Sequence, residues 1–278
     1  LPPAAPAAPV GPAPSVTEIS YSSLEEHRRC AYRFYVERVV GLPPLAAQEV
    51  SPGESPPGRL SATDRGILIH ELLERMDFRR PVVPEAEAIA RFAPRNLPSE
   101  ELEEVGALVG RFATSALCAR LGAATTARTE QRFSFLLGGL LIRGVFDVIA
   151  RERDGRMLVV DYKSDRIGEA DPEGVVSQAY LIQRLIYGLA ALRAGATGVE
   201  ILHVFLEVPD RPAVARFAQT DVSRLEEELS ELTAGLLEGR FPVTPEPHRG
   251  VCRGCPAEGG LCSWPLTATR RVSADRLF

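Results

Sequence analysis

The segment RGVFDVIARERDGRMLVVDYKSD, residues 143–165, constrains the fold of this chain more than any other. Apolar residues with strand character lie on both sides of Asp154-Gly155. Asp-Gly in that setting is a strong hairpin signal, because glycine accepts the positive φ that a tight reversal needs. Three strands follow from the period-2 pattern: Arg128–Leu137, Leu140–Arg151 and Arg156–Tyr162.

Asp161 and Lys163 are two apart on the last of these, so their side chains leave the strand on one face. Both follow the apolar run Met157–Val160, where a charged pair is costly without a partner or a metal. Asp147 ends the opposing run. With a plain two-residue turn at Asp154-Gly155, Asp147 would face Tyr162 and point away from Asp161. The chemistry therefore predicts a one-residue bulge or a longer turn that brings the two carboxylates together.

Such a pair suits a hard cation, since two carboxylates at ~2.1 Å hold Mg²⁺ while it keeps most of its waters and grips a phosphate. The metal would activate a bound water and stabilise charge on phosphoryl oxygens, and a nearby lysine could orient or deprotonate that water. A surface hairpin with an ordinary Asp–Lys pair would read the same way. Composition sharpens the choice. Of 32 lysines and arginines only Lys163 is a lysine, and Asn96 is the only asparagine. A chain that uses arginine for every other cation keeps a compact ammonium at this one position.

Helices are predicted at Ser20–Val40 (N-caps Ser22 and Ser23), Ser61–Phe78, 99–120, Pro172–Ala194 and 221–239. Further strands are predicted at Gly198–Val208 and Ala213–Gln219. The expected class is α/β, an α+β sandwich with a mixed sheet flanked by helices. Residues 43–60 read as loop. Residues 1–18, rich in Pro and Ala, read as a linker, 19–265 as one domain and 266–278 as a tail. The chain begins with Leu1, so it is expected to be a piece of a longer protein. No apolar run approaches the ~20 residues that span a bilayer and no signal peptide is visible, so a cytoplasmic location is expected. A net charge of −5 and a pI of about 5.6 do not announce a nucleic-acid partner, although phosphate contacts depend on local patches and not on the sum. There is no G-x-x-x-x-G-K-[ST], so any ATPase must lie outside this chain.

His70, in RGILIHELLERMDF, shares a helix face with Ile67 and Leu73–Glu74. A histidine on an apolar face is usually a core residue, but beside two carboxylates a neutral imidazole can complete a metal site. The order G-x-x-x-H-x-x-x-E (Gly66, His70, Glu74), G-x-x-D (Gly144–Asp147), V-D-Y-K-S-D (Val160–Asp165) and Y-x-x-Q-x-x-x-Y (Tyr180, Gln183, Tyr187) resembles the RecB-like branch of the PD-(D/E)XK nucleases, which includes the nuclease domains of AddAB-type and AdnAB-type helicase–nucleases. The resemblance spans roughly residues 19–265 and implies a restriction-endonuclease-like core. It implies His70, Asp147 and Asp161 as ligands to Mg²⁺ or Mn²⁺, assisted by the Tyr162 backbone carbonyl, and Lys163 as the catalytic lysine. Gln183, Tyr187 and Tyr180 would support the site. Glu130, in T-E-Q-R-F, matches a carboxylate often seen on the first strand of such domains, with a structural salt bridge as the simpler reading.

The implied activity is a metal-dependent deoxyribonuclease, an exonuclease on single-stranded DNA ends, working as a module of a helicase–nuclease in double-strand break repair and recombination. Its partners would be DNA, single-stranded or as duplex ends, and a helicase domain, either upstream in the same chain or carried by a partner protein, with no membrane. Two alternatives are a non-catalytic DNA-binding or structural module of the same fold and a stand-alone exonuclease. DNA contacts are expected from Arg249, Arg253, Arg270 and Arg271.

Five cysteines occur, and Cys252, Cys255 and Cys262 form C-x₂-C-x₆-C in a Gly/Pro-rich loop. Clustered thiols of this kind argue for metal rather than disulfides. Cys30 is the candidate fourth ligand, because Cys118 lies within a helical apolar pattern and reads as core. Spacing alone favours zinc. A remote first cysteine joined to a C-terminal triplet resembles instead the [4Fe–4S] staple of the AddB-like branch, which ties the two ends of the domain together.

Overall fold

The computed structural model describes residues 16–45, 60–93 and 97–272. Most of the predicted 43–60 loop, nearly all of the 1–18 linker, Asn96 and the last residues of the tail lie outside the described residues. The chain divides into two compact units, one of residues 1–50, 136–143 and 227–278 and the other of 51–135 and 144–226.

The second unit carries most of the sheet foreseen in the sequence. The strands are β1 (Glu18–Ser20), β2 (Thr126–Leu137), β3 (Leu140–Arg151), β4 (Met157–Lys163), β5 (Gly198–Phe205) and β6 (Ala213–Ala218), of which β1 and residues 136–143 belong to the first unit. The order is β1-β3-β4-β5-β6, with β2 also paired to β3. β3–β4 and β5–β6 are antiparallel, while β4–β5 is parallel, so the sheet is mixed as expected. The β3–β4 register, Val148 opposite Val160 and Arg151 opposite Met157, leaves five residues in the turn. Within it the Glu152 amide donates to the Arg156 carbonyl at 2.9 Å, and Gly155 takes φ +87°. This is the longer turn that the carboxylate spacing required, with glycine at the left-handed position.

Against one face lie α3 (Ala62–Glu74), α4 (Ala86–Ala90), α5 (Ser99–Ala113) and α6 (Ala116–Ala123). Their core joins Ile69, Leu73, Val105, Val109, Phe112 and Leu121 to Val148, Leu158, Val160 and Val204 of the strands. Ser61 caps α3, accepting the Asp64 amide at 3.0 Å. The helix predicted over 99–120 is two helices. Ser115 interrupts it and accepts the Cys118 amide at 3.1 Å as a new N-cap, a backbone bond with which a serine hydroxyl competes well. Helices α7 (Pro172–Ala179) and α8 (Leu181–Arg193) replace the single helix expected over 172–194, and they meet at 85°. The break is at Tyr180, φ −130° and ψ 13°. No glycine or proline lies there, so the usual local causes of a kink are missing. The contacts of the Tyr180 side chain, described below, supply one.

In the first unit the predicted helix 20–40 is also interrupted. It begins with α1 (Tyr21–Arg29), capped by Ser20 rather than Ser22 or Ser23, since Ser20 Oγ accepts the Ser23 amide at 3.3 Å. Cys30 then leaves helical geometry at φ −159°, followed by α2 (Ala31–Phe34) and a π-turn at Tyr35–Val39. A long amphipathic helix, α9 (Val222–Leu237), and two single turns, α10 (Arg249–Cys252) and α11 (Leu266–Thr269), complete the chain. Among the described residues no single helix is long and apolar enough to cross a membrane.

Candidate metal centre

The second unit gathers the carboxylates, the histidine and the lysine singled out in the sequence. The ladder between β3 and β4 stops at Val148–Val160. Beyond it the Tyr162 amide donates to Asp147 Oδ2 at 2.7 Å instead of continuing the ladder. His70, from the last turns of α3, presents Nδ1 at 3.6 Å from Asp147 Oδ2. The Tyr162 backbone carbonyl also faces the His70 ring. Glu130 completes a cluster in which one ligand atom each of His70, Glu130 and Asp147 lies within 4.8 Å of the others. Glu130 has φ +48°, the one non-glycine residue at positive φ among those described. A side chain in that region strains the backbone, and such strain gathers at functional sites. Its neighbours in that cluster are an imidazole and a carboxylate.

Asp161 is 2% exposed and held by two side chains. Gln183 Nε2 donates to its Oδ1 at 2.6 Å, and Lys163 Nζ lies 2.7 Å from its Oδ2. The Tyr187 hydroxyl is 3.3 Å from Oδ1. Its single proton goes to the closer acceptor, the Val145 carbonyl at 2.7 Å. Lys163 donates to Gln183 Oε1 at 2.9 Å, so one amide group binds both members of the Asp161–Lys163 pair. Gln183 and Tyr187, one turn apart on α8, thus act together, while Tyr180 sits at the start of that helix with its ring beneath Lys163.

The electrostatics follow from this crowding. Burial pushes the Asp147 carboxyl well above its ordinary range, and the neighbouring Asp161 charge pushes it further. For Asp161 burial also acts upward, but the adjacent Lys163 ammonium outweighs it and holds the carboxyl below its ordinary range. Burial lowers the His70 pKa, leaving a neutral imidazole with a lone pair to offer. Burial and the nearby Glu74 raise Glu130. His70, Glu130 and Asp147 thus offer one clustered ligand set, while the Asp161 oxygens beside it face Gln183 and Lys163. A neutral nitrogen and several carboxylate oxygens suit Mg²⁺ or Mn²⁺, and the residues present fit such an ion. Beside Glu74 and the residues flanking Glu130 opens a cleft of about 650 Å³, with Arg79 and Arg128 in its wall.

His203 was not foreseen. It lies in an apolar strand run, and only the parallel register of β5 on β4, which sets it opposite Asp161, reveals its position.

Within the first unit, Cys30, Cys252, Cys255 and Cys262 line one cavity with Tyr32, Arg33 and Trp264. Burial raises the Cys252 thiol, and Cys30 and Cys262 raise it further, as neighbouring thiolates do. Arg33 donates to the carbonyls of Val251 and Arg253 at 2.6 and 3.2 Å, tying the cysteine loop to α2. Cys118 sits in the core of the other unit, 0% exposed, and burial drives its pKa up to about 11. Of the arginines expected to meet DNA, Arg270 pairs with Glu258 at 3.3 Å and Arg271 donates to the Pro247 carbonyl, so both serve this loop.

Residues 18–259 match the family model described as PD-(D/E)XK nuclease superfamily. Among curated proteins, the chain is 26% identical over 155 residues to an ATP-dependent helicase/nuclease polypeptide of Bacillus cereus (strain ATCC 10987 / NRS 248) and 27% identical to its counterpart in Bacillus mycoides (strain KBAB4). Each match covers 47% of this chain and 12% of the relative, so it spans about an eighth of those proteins. A solved structure from Eubacterium rectale, provisionally described as an exonuclease, overlaps 83% of this chain and 85% of its own, with a TM-score of 0.47 and 11% identity.

Proposed function

The chain belongs to the PD-(D/E)XK nuclease superfamily, and on that footing we propose that it is a metal-dependent deoxyribonuclease that cuts single-stranded DNA from its ends. The observation that carries the reading is the convergence of His70, Glu130 and Asp147 beside an Asp161–Lys163 pair 2.7 Å apart. His70, Asp147, Asp161 and the Tyr162 carbonyl would hold Mg²⁺ or Mn²⁺, with Glu130 as a further carboxylate. When bound, the ion supplies Lewis-acid stabilisation of the phosphoryl oxygens and a more acidic water.

The chain's own residues do the rest. Asp161 holds Lys163 within reach of a phosphate oxygen or the attacking water, and Gln183 fixes both. His70, neutral, binds without adding positive charge of its own. The cleft beside Glu130 offers the strand a path, with Arg79 and Arg128 available to its phosphates. By likeness to the Bacillus helicase/nuclease polypeptides, we assign the domain, residues 19–265, to a helicase–nuclease that processes DNA ends in repair and recombination.

The four thiols of Cys30, Cys252, Cys255 and Cys262 would hold a [4Fe–4S] cluster as a structural staple, with Zn²⁺ as the other occupant the donor set accepts. Closing a loop of more than 200 residues with such a staple would remove several kcal/mol of unfolded-chain entropy, on the order of a long-loop disulfide.

The deciding experiment is cleavage of end-labelled single-stranded DNA with Mg²⁺ or Mn²⁺, set against EDTA and Lys163→Ala. Metal-dependent cutting that falls by about 10²–10⁴ in the variant supports the reading. A folded wild type that binds DNA but never cuts it moves the chain to the non-catalytic DNA-binding alternative.

A further inference from the structure

Behind the lysine stand two rings, Tyr180 and His203, the second of which the sequence did not single out. Lys163 Nζ sits 4.0 Å from the centre of the Tyr180 ring. The Tyr180 hydroxyl donates to Asp165 Oδ2 at 2.8 Å, and its ring lies 27° from parallel to His203, centroids 6.1 Å apart. His203 is the β5 register partner of Asp161. It is fully buried, and among the described residues neither ring nitrogen has a hydrogen-bond partner. A leucine or valine in that slot would avoid leaving two polar atoms unsatisfied, so the imidazole is there at a cost to stability. Burial holds it neutral, with its pKa lowered to about 4.

We propose that Tyr180 and His203 form an aromatic platform that positions the Lys163 ammonium, Tyr180 as its seat and His203 as the backing of that seat. Asp161 and Gln183 fix the ammonium through its charge and one donated bond. The four-carbon lysine stem still leaves rotations that those contacts do not close. A ring face under the cation closes them, and the attraction strengthens where water is excluded. The seat is itself held firmly. Tyr180 is the residue at which α7 and α8 part at 85°, and its hydroxyl is anchored to the loop that follows β4. The His203 ring backs the Tyr180 ring, 27° from parallel to it. Both are positioning residues, acting through Lys163. The inference rests on the nuclease reading for what the lysine does, but not for where it sits.

Because Lys163 is the only lysine, protein labelled with lysine carrying ¹³C at Cε gives a single side-chain signal, readable whether or not the protein cuts DNA. In the wild type the attached protons should be shifted upfield by the Tyr180 ring current. Tyr180→Leu and His203→Leu should move the signal toward that of free lysine and lower kcat about tenfold with KM unchanged. Mn²⁺ affinity should stay at the wild-type value in both. Tyr180→Phe and His203→Phe, which keep the rings, should retain the signal and most of the activity. His203→Leu should melt at or above the wild-type temperature. Should it fail to fold, Tyr180→Leu, at a half-buried position, carries the test alone. A wild-type lysine signal and kcat in the leucine variants would overturn the platform. So would a loss of Mn²⁺ affinity and thermal stability in step with kcat, which is the mark of a merely structural role. If the wild type does not cut DNA, the nuclease reading fails while the lysine signal still decides this one.

Discussion

Asp147 and Asp161 are the first residues beyond the last paired rung of the central hairpin, Val148–Val160, and they meet where the strands part. The opening is held by the Tyr162 amide, which donates to the Asp147 side chain at 2.7 Å. Asp147 shares a small volume with Glu130 and His70, next to the Asp161–Lys163 pair, an arrangement that suits a divalent cation.

Metal should therefore stabilise the fold. Mn²⁺ at a hundred times its Kd is expected to add about 2.7 kcal/mol, read as a rise in melting temperature. Asp147→Asn should abolish that rise and, without metal, melt no lower than wild type, because it removes the repulsion. An undiminished Mn²⁺ shift in Asp147→Asn would mean the ion binds elsewhere.

Glu130 offers a separation of ligand from scaffold. Its left-handed backbone costs a non-glycine residue about 1–2 kcal/mol, part of which glycine would return despite its own entropy in a strand. Glu130→Gly is expected to raise metal-free stability slightly while weakening Mn²⁺ binding at least about tenfold. Glu130→Gln should weaken binding without the gain. Isothermal titration with Mn²⁺ alongside thermal melting measures both, and unchanged affinity would return Glu130 to a structural role.

The cysteines make a colour test. Anaerobically purified protein should be brown, with broad absorption near roughly 400 nm. Cys30→Ser should lose the metal and destabilise the fold, whereas Cys118→Ser should leave metal content as it was. Cys118, with its thiol pKa raised to about 11 by burial, should also resist alkylation in the native protein. A colourless, zinc-replete protein would assign the site to zinc, and equal metal loss in both variants would remove Cys30 from it.

His203 sets a pH dependence. Its folded-state pKa of about 4 lies below the ordinary 6.5. As pH falls through 6.5 the unfolded chain takes up a proton that the folded protein refuses until about 4. Stability is therefore full above 6.5 and declines between 6.5 and 4, by about 3 kcal/mol at most for this group. Denaturant melts across that range should show a shallower decline in His203→Leu, and identical slopes would show that the ring titrates normally.

Much of this site was legible in the sequence because it hangs on local rules. Asp-Gly fixes a reversal, a period of two gives strands their faces, and the spacing of Asp147 and Asp161 called for a bulge or a longer turn, of which the structure contains the latter. Lys163 stood out as the only lysine. The helices were overextended wherever a residue was drawn out of helical geometry by something distant. Cys30 turns out of the helix toward the 252–262 loop in its own unit, and Tyr180 breaks α7 from α8 while bonded to Asp165 and lying under Lys163.

The identity and order of the candidate site residues were thus legible in the sequence, since strand and helix periodicity act over a few residues. What surrounds them was decided by tertiary structure. That Gln183 binds both Asp161 and Lys163, that Glu130 joins His70 and Asp147, and that His203 is sealed behind Tyr180 depend on strand register and helix packing. Those follow from how a whole core closes, and no short stretch of chain encodes them.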